Sequence, residues 1–283
     1  YDMYEKQLEK VSNICIKLKD SNKKGGIFKA ARELFYDRYF VHRIDKNPYL
    51  LVLKNGVIDF KNKEFRCGAA EDYLTLTTSI EYKPLSYYEE NEAEKIEDIK
   101  AFMKTLFPIE DVNKYMWEFL ASSLIGVNLN HKFRIFLGTG SNGKSILIKL
   151  MSKILNPRER GGYQGVLSGS VVSQKRIGQG NASPELMNLM GVRFAVIQEP
   201  SKGDKLNDGA MKEITGGDTI TGRKLYQDQV SYDPQFDLVV CANTLYDIED
   251  TSEGTTYTVY FGDIARKIAK LGIEPPKPIL LPT

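Results

Sequence analysis

One segment of eight residues restricts the fold of this chain more than any other. It satisfies the pattern Gly-x-x-x-x-Gly-Lys-Ser/Thr and reads Gly138-Thr139-Gly140-Ser141-Asn142-Gly143-Lys144-Ser145. The apolar run at 134–137 predicts a buried strand before it. The periodicity that follows predicts a helix over Lys144–Leu155, ended by Asn156-Pro157. Strand, loop and helix in this order form the context in which the motif binds phosphate.

The residue types of this phosphate loop explain its chemistry. Glycines let consecutive backbone N–H groups turn toward anionic oxygens, and the N-terminus of the following helix adds the positive end of its dipole. Lys144 is predicted to reach the β- and γ-phosphates of ATP, and the Ser145 hydroxyl to coordinate Mg²⁺. The alternative is a glycine-rich turn that merely precedes a helix, and the complete strand–loop–helix context disfavours it.

Two further predicted strands end in polar side chains. Glu199 follows the apolar run Arg193–Ile197, and Asn243 follows the run Asp237–Cys241. A carboxylate at such a strand end can activate water and, with Ser145, hold Mg²⁺, whereas an amide can bond both the γ-phosphate and that water. Glu199 is also explained as an ordinary exposed carboxylate, and Asn243 as a turn residue. Their order after the phosphate loop favours catalytic roles for Lys144, Glu199 and Asn243.

Composition excludes several classes of protein. The 39 Lys and Arg against 37 Asp and Glu give a net charge of +2, so contact with nucleic acid must come from a local patch. Three separated cysteines and two histidines argue against a disulfide framework and a histidine metal cluster, and favour a reducing compartment. The most apolar stretch, 119–127, is too short to span a bilayer. Residues 1–6 show neither a secretion signal nor an initiator Met, so we expect a fragment of a longer protein.

The first third of the chain changes its periodicity part-way. Amphipathic spacing predicts helices at 1–20 and about 28–38, separated by a turn at 22–26. Short β-like runs at 49–53 and 57–60 then flank Lys54-Asn55-Gly56, which predicts a hairpin because Asn-Gly accepts positive φ.

Three segments are predicted from these patterns. Residues 1–90 form a smaller α+β domain, and a charged stretch near 84–94 marks its end. Residues 91–255 form an α/β phosphate-loop domain with a mainly parallel sheet, because short apolar strands alternate with helices, including one at 207–214. Residues 256–283 form a C-terminal helix and an extended tail.

These motifs together resemble the superfamily 3 helicases, and most closely the poxvirus-type primase–helicase family of large DNA viruses. The similarity covers roughly residues 28–250. Besides the phosphate loop, it is carried by the segments 54–60, 71–73, 182–186, 198–200, 206–218 and 223–226.

The resemblance implies an AAA+-type ATPase that uses ATP and Mg²⁺ and acts on single-stranded DNA as a homo-oligomeric, hexameric ring. It also implies a primase domain in the same longer polypeptide, and a virus-encoded protein of the host cytoplasm without membrane association. A β-hairpin before the Asn243 strand would project into the ring channel. There Arg223 and Lys224 would meet phosphates and Tyr226 would stack on a base.

One departure from the family pattern keeps alternatives open. The family's Trp-Arg-Arg element, which supplies an arginine in trans, is not visible, because the sole tryptophan is Trp117 and the arginine left downstream is Arg266. A nucleotide-binding assembly module with weak or no hydrolysis is therefore one alternative. A stand-alone phosphate-loop kinase is another, although no arginine-rich acceptor lid is apparent between Pro157 and Gln174.

Overall fold

The computed structural model describes residues 2–127, 133–138, 142–173, 184–198, 208–223, 229–243 and 256–260. By the density of its contacts the chain divides into two units, between Ile44 and Asp45. Within the described parts of the chain, every helix is too short or too polar to cross a membrane.

The first unit consists of three helices: α1 (Asp2–Lys19), α2 (Ser21–Leu34) and α3 (Phe40–Arg43). The predicted turn at 22–26 is wrong, because α2 runs through these residues. The break falls instead at Asp20, whose carboxylate accepts hydrogen bonds from the backbone N–H groups of Asn22 (2.9 Å) and Lys23 (3.4 Å) and so caps α2. The described side chains of α1 are all exposed, and those of α2 and α3 include none that is buried.

The second unit opens with a small antiparallel sheet and three helices. Its elements are β1 (Leu50–Leu53), β2 (Gly56–Asp59), β3 (Glu64–Arg66), α4 (Leu85–Asn91), α5 (Ala93–Leu106) and α6 (Glu110–Ser122). The predicted hairpin is confirmed, since Leu53 pairs with Gly56 around Lys54 and Asn55. Its predicted cause is not: neither Asn55 nor Gly56 has positive φ. A glycine is needed at position 56 because the Phe65 ring packs close to the backbone there: a Cβ on residue 56 would lie 2.6 Å from that ring.

A parallel sheet forms the centre of this unit. The remaining elements are β4 (Phe133–Leu137), α7 (Lys144–Leu155), β5 (Gln164–Leu167), α8 (Ser170–Ser173), α9 (Pro184–Met187), β6 (Phe194–Gln198), α10 (Asp208–Thr215), β7 (Ile220–Gly222), β8 (Val230–Tyr232), β9 (Asp237–Ala242) and β10 (Thr256–Tyr260). Five of the strands pair in the order β10-β4-β9-β6-β5, all parallel. The predicted α/β class with a parallel sheet, preceded by a smaller N-terminal part, is confirmed.

Side chains of the central strands alternate between two apolar cores. One face contributes Phe136, Phe194, Val196 and Val239, which pack with residues of α5, α6 and α7. The opposite face contributes Ile135, Leu137, Ala195, Ile197, Leu238 and Val240. Burial of both faces explains why these strands read as continuous apolar runs.

The first core also includes Leu51, Leu53 and Leu76, so the small antiparallel sheet packs in the same core as the parallel sheet. The Tyr163 hydroxyl joins the two, donating to the Leu76 carbonyl (3.1 Å) and accepting from the Val52 N–H (3.1 Å). Burial raises the pKa of Tyr163 to about 12, so the hydroxyl keeps its proton at neutral pH. The predicted boundary at 90/91 therefore lies inside the second unit.

The last described strand differs from the predicted division as well. Thr256–Tyr260, assigned from the sequence to the C-terminal helix and tail, forms β10 and pairs with β4 from Thr256↔Phe133 to Tyr260↔Leu137. The run Thr-Tyr-Thr-Val-Tyr consists of the β-branched and aromatic residues that favour strands. The rest of the predicted tail lies outside the described residues.

Candidate active site

The candidate site begins where β4 ends and α7 begins. Gly143 caps the N-terminus of α7 with a φ of +89°, in the left-handed region that glycine tolerates best. A Cβ on Gly143 would lie 2.3 Å from Leu106 Cδ2, so a larger residue would also collide with α5. Gly138, Asn142 and Gly143 are described, whereas Thr139, Gly140 and Ser141 lie outside the described residues.

Lys144 is the first residue of α7 and is only 8% exposed. Its ammonium group donates to the Gly138 carbonyl, to Asn142 Oδ1 at 3.2 Å and to Asn243 Oδ1 at 3.4 Å. The three acceptors are neutral oxygens that belong to the phosphate-loop segment and to the residue after β9. A cation held this way beside a helix N-terminus is a suitable partner for phosphate.

The structure brings Lys144 and Asn243 together through the pairing of β4 with β9. Leu137 lies opposite Ala242 in this parallel pair, and the Gly138 N–H donates to the Ala242 carbonyl (3.2 Å). Both strands therefore end at the same edge of the sheet, and the residues after them meet. Asn243 is exposed at this edge.

The side chain of Asn142 supplies a further sign that an anion fits here. Within the described residues, its Nδ2 is buried and has no hydrogen-bond partner, while its Oδ1 accepts from Lys144. A buried amide donor left unpaired costs about 1–3 kcal/mol. A phosphate oxygen would satisfy this donor, and the adjacent ammonium would favour the same oxygen. The residues present thus fit the phosphates of a nucleotide.

For Mg²⁺, the described residues offer one of the two predicted ligands. Ser145 lies in the first turn of α7 and is exposed, so its hydroxyl is accessible. Gln198 lies opposite Cys241 of β9, which shows that β6 ends at the same edge of the sheet as β4 and β9. Glu199 follows in the sequence and lies outside the described residues. Mg²⁺ usually takes only one or two protein oxygens besides substrate phosphates and water, so the Ser145 hydroxyl fits that role.

The predicted hairpin before the Asn243 strand is present as β7 and β8. They pair antiparallel from Ile220↔Tyr232 to Gly222↔Val230, and the hydroxyls of Thr221 and Ser231 lie 2.9 Å apart. Arg223 comes directly after β7 and is exposed. Lys224 and Tyr226 lie outside the described residues.

Sequence reasoning missed three buried charged residues on or next to the strands that lead to the site: Arg134, Arg193 and Asp237. Each interrupts or borders an otherwise apolar run, such as Phe133-Arg134-Ile135-Phe136-Leu137. A lone charge in such a run signals a buried polar contact, because burial of an unpaired charge is costly. The sequence does not show which groups supply the partners.

Two family models and several viral proteins are similar to this chain. A family model described as "D5 N terminal like" matches residues 2–108, and a family of unknown function matches residues 136–256. A protein of Acanthamoeba polyphaga mimivirus that carries a helicase name is 31% identical over 245 residues, which cover 87% of this chain and 25% of that protein. The chain belongs to the D5-like primase–helicase family of large DNA viruses.

Other relatives of this D5-like chain carry names of the same kind. A helicase-named protein of Invertebrate iridescent virus 3 is 30% identical over 243 residues, covering 84% of this chain and 25% of the relative. A primase-named protein of African swine fever virus is 25% identical over 254 residues, which cover 89% of this chain and 26% of that protein. The chain thus spans about a quarter of the length of these relatives. The solved structure of the C-terminal region of NrS-1 is similar over 65% of this chain and 39% of the NrS-1 chain, with 17% sequence identity and a TM-score of 0.45.

Proposed function

We propose that this chain is the ATPase part of a viral replication primase–helicase, an AAA+-type member of helicase superfamily 3 that moves along single-stranded DNA as a hexameric ring. The observation that carries the proposal is the 3.4 Å approach of Lys144 Nζ to Asn243 Oδ1 at the common edge of β4 and β9. Family membership supports a role in DNA replication, and the relatives' helicase and primase names agree with it.

In this proposal the chain's own groups divide the work of ATP hydrolysis. Lys144 and the Asn142 amide bind phosphate oxygens, and the N-terminus of α7 adds backbone donors. Asn243 orients the attacking water beside the γ-phosphate, and Glu199 accepts its proton. Ser145 and Glu199 would hold Mg²⁺, which would supply charge neutralisation on the phosphates.

The proposed DNA contact lies on the β7–β8 hairpin. Arg223 is exposed at the end of β7, where its guanidinium is accessible to a phosphate. We assign Lys224 to a second phosphate and Tyr226 to stacking on a base, the combination by which proteins hold single strands without reading sequence. A primase domain in the same longer polypeptide and a place at viral replication sites in the host cytoplasm complete the proposal.

One measurement separates this function from its two alternatives. We expect ATP hydrolysis by the intact protein to rise when single-stranded DNA is added, because a translocase couples the two. A small-molecule kinase would transfer phosphate to an acceptor and ignore DNA. An assembly module would bind ATP without steady turnover. Hydrolysis that is indifferent to DNA, or absent while ATP binds, would therefore reject the proposed function.

Glu199→Gln is expected to leave ATP binding nearly normal and to make hydrolysis very slow. The amide keeps the size of the side chain but cannot take the proton from water, so only the chemical step suffers. ATP affinity and single-turnover hydrolysis provide the measurement, with Glu159→Gln at an exposed position as the matched control. Loss of ATP binding together with a normal rate on the ATP that still binds would show that Glu199 is structural.

Replacing Arg223 and Lys224 together by alanine is expected to weaken single-stranded DNA binding and to flatten its salt dependence. Each lost phosphate contact reduces the slope of log affinity against log salt by roughly 0.7. Hydrolysis without DNA persists, since neither residue is assigned to the phosphate pocket. The control removes two exposed lysines of the β2–β3 turn, Lys61 and Lys63. Unchanged DNA affinity combined with failure to form rings would assign Arg223 and Lys224 to a subunit interface instead.

A further inference from the structure

A buried polar cluster lies beneath the candidate site, among the apolar strands. Arg134 is 2% exposed, and its Nη1 lies 2.7 Å from Oδ1 of Asp237, which is also buried. Its Nε donates to the Tyr115 hydroxyl (3.1 Å), and its guanidinium lies 3.9 Å from the centre of the Phe119 ring. One arginine therefore joins β4, β9 and α6 in a single set of contacts.

The position of this ion pair in the strands is informative. Arg134 is the second residue of β4 and Asp237 is the first of β9, so the pair lies at the amino ends of the two strands. The carboxyl ends of the same strands lead to Lys144 and Asn243. The pair thus fixes, at one end, the two strands whose other ends bring the candidate catalytic groups together.

Apolar packing alone does not define this register uniquely. A slip of one residue would turn the side chains of β4 to the wrong faces, and burial on both faces penalises it. A slip of two residues restores the alternation, so the non-directional hydrophobic effect opposes it only weakly. Such a slip moves one strand by about 6.6 Å along the other. That shift is larger than the 3.4 Å between Lys144 and Asn243.

The ion pair penalises the two-residue slip strongly. Slipped strands would leave the Arg134 guanidinium and the Asp237 carboxylate buried without each other, which is far more costly than a lost apolar contact. Burial raises the pKa of Asp237, and the guanidinium of Arg134 opposes this by stabilising the charged carboxylate. Buried ion pairs often contribute little net stability compared with apolar pairs, so a role in specificity explains this one better.

We propose that Arg134 and Asp237 are positioning residues for the ATPase, which set the register of β4 against β9 and hence the separation of Lys144 and Asn243. This inference rests on the proposed function for its kinetic consequence. Its structural consequence, the register itself, can be tested without any activity.

The test replaces the ion pair by an apolar pair, Arg134→Met with Asp237→Leu, in the intact protein. We expect a melting temperature no lower than that of the wild type, because the buried charges are removed together. ATP affinity should stay within about twofold, since Lys144 and Asn142 both follow β4, while turnover falls by roughly tenfold to a hundredfold because Asn243 is misplaced. Arg134→Lys, which keeps a cation for Asp237, should retain most of the turnover.

Several results would overturn the proposal. A folded double variant with wild-type turnover would do so, as would a loss of turnover that only parallels the loss of folded protein measured by circular dichroism. The matched control is Arg66→Met with Asp72→Leu, which removes a partly buried bidentate pair (2.7 and 2.8 Å) between β3 and the segment after it, and should leave turnover per folded molecule unchanged.

A crystal structure of the double variant gives the readout that does not depend on activity. If Leu137 still lies opposite Ala242 and Lys144 still meets Asn243, the positioning role is wrong even in a protein that hydrolyses ATP. If the wild-type protein hydrolyses no ATP, the proposed function fails, and this register measurement still decides the structural inference.

Discussion

Replacement of Lys144 by alanine is expected to abolish measurable ATP hydrolysis, with a loss on the order of a hundredfold to a thousandfold in turnover. The ammonium group is held by the Gly138 carbonyl, by Asn142 and by Asn243, so it is fixed before the nucleotide arrives. A fixed cation stabilises the developing charge of the phosphoryl transition state without reorganising. Steady-state ATP hydrolysis by the intact protein, with and without single-stranded DNA, provides the measurement.

The control for this experiment lies on the same helix. Lys149 is exposed on α7, and Lys149→Ala removes the same charge without approaching the phosphate loop. We expect wild-type hydrolysis from it and nearly wild-type melting temperatures from both variants, because alanine is a good helix former. A folded Lys144→Ala protein that hydrolyses ATP at the normal rate would remove the basis for assigning this segment to phosphate binding.

The phosphate-loop part of the site was accessible from the sequence because its information is local. The strand, the glycines and the helix follow one another, so spacing and periodicity predicted β4 and the bounds of α7 directly. The approach of Asn243 to Lys144 required one further step. Because parallel strands end at a common edge, two polar residues that follow two apolar strands are expected to meet there. The structure places them together, and their catalytic roles remain predictions.

The buried polar contacts were not accessible in this way. Arg134 contacts Asp237, which lies 103 positions further along the chain. The residues around each of them give no indication that the two will pair. Arg193 has still less sequence signal, because its guanidinium donates to backbone carbonyls, which every residue possesses. Strand β10 was missed for a different reason: five residues without a neighbouring motif do not show which strand they will pair with.

Arg193 leads to the second large effect that we expect. Its side chain is buried just before β6, where Nη1 donates to the Pro48 carbonyl (2.7 Å), and Nη2 to the carbonyls of Leu50 (3.0 Å) and Asn47 (3.2 Å). Burial lowers the pKa of Arg193 to about 10, so the guanidinium still carries its charge at neutral pH. One guanidinium group thereby attaches residues 47–50 to the residue that precedes β6.

The space around Arg193 is also closely fitted. A Cβ on Gly126 would lie 1.2 Å from Arg193 Nη1, so glycine is needed where the chain passes the guanidinium. The Gly126 N–H donates to the same Pro48 carbonyl, at 2.8 Å. Arg193 in turn accepts, through its own carbonyl, a hydrogen bond from the Asp237 N–H (2.9 Å), which connects this contact to the start of β9.

Arg193→Met is therefore expected to lower the free energy of unfolding of the intact protein by about 3 kcal/mol or more, because it removes three hydrogen bonds that a buried, charged guanidinium donates. Met preserves most of the volume, so the loss reports on hydrogen bonding rather than on a cavity. Arg193→Lys should fall between Met and the wild type, since an ammonium group is a compact donor that cannot reproduce the planar fork of the guanidinium.

Urea unfolding followed by circular dichroism measures these differences, with Arg160→Met at an exposed site as the control, for which we expect a change within about 0.5 kcal/mol. A smaller m-value in Arg193→Met would show that residues 45–60 detach before the sheet unfolds, because less surface would then become exposed in the main transition. An unfolding midpoint equal to that of the wild type would mean that the three lost hydrogen bonds contribute little to stability. The attachment would then depend on the apolar contacts of Leu51 and Leu53 and on Tyr163, and not on Arg193.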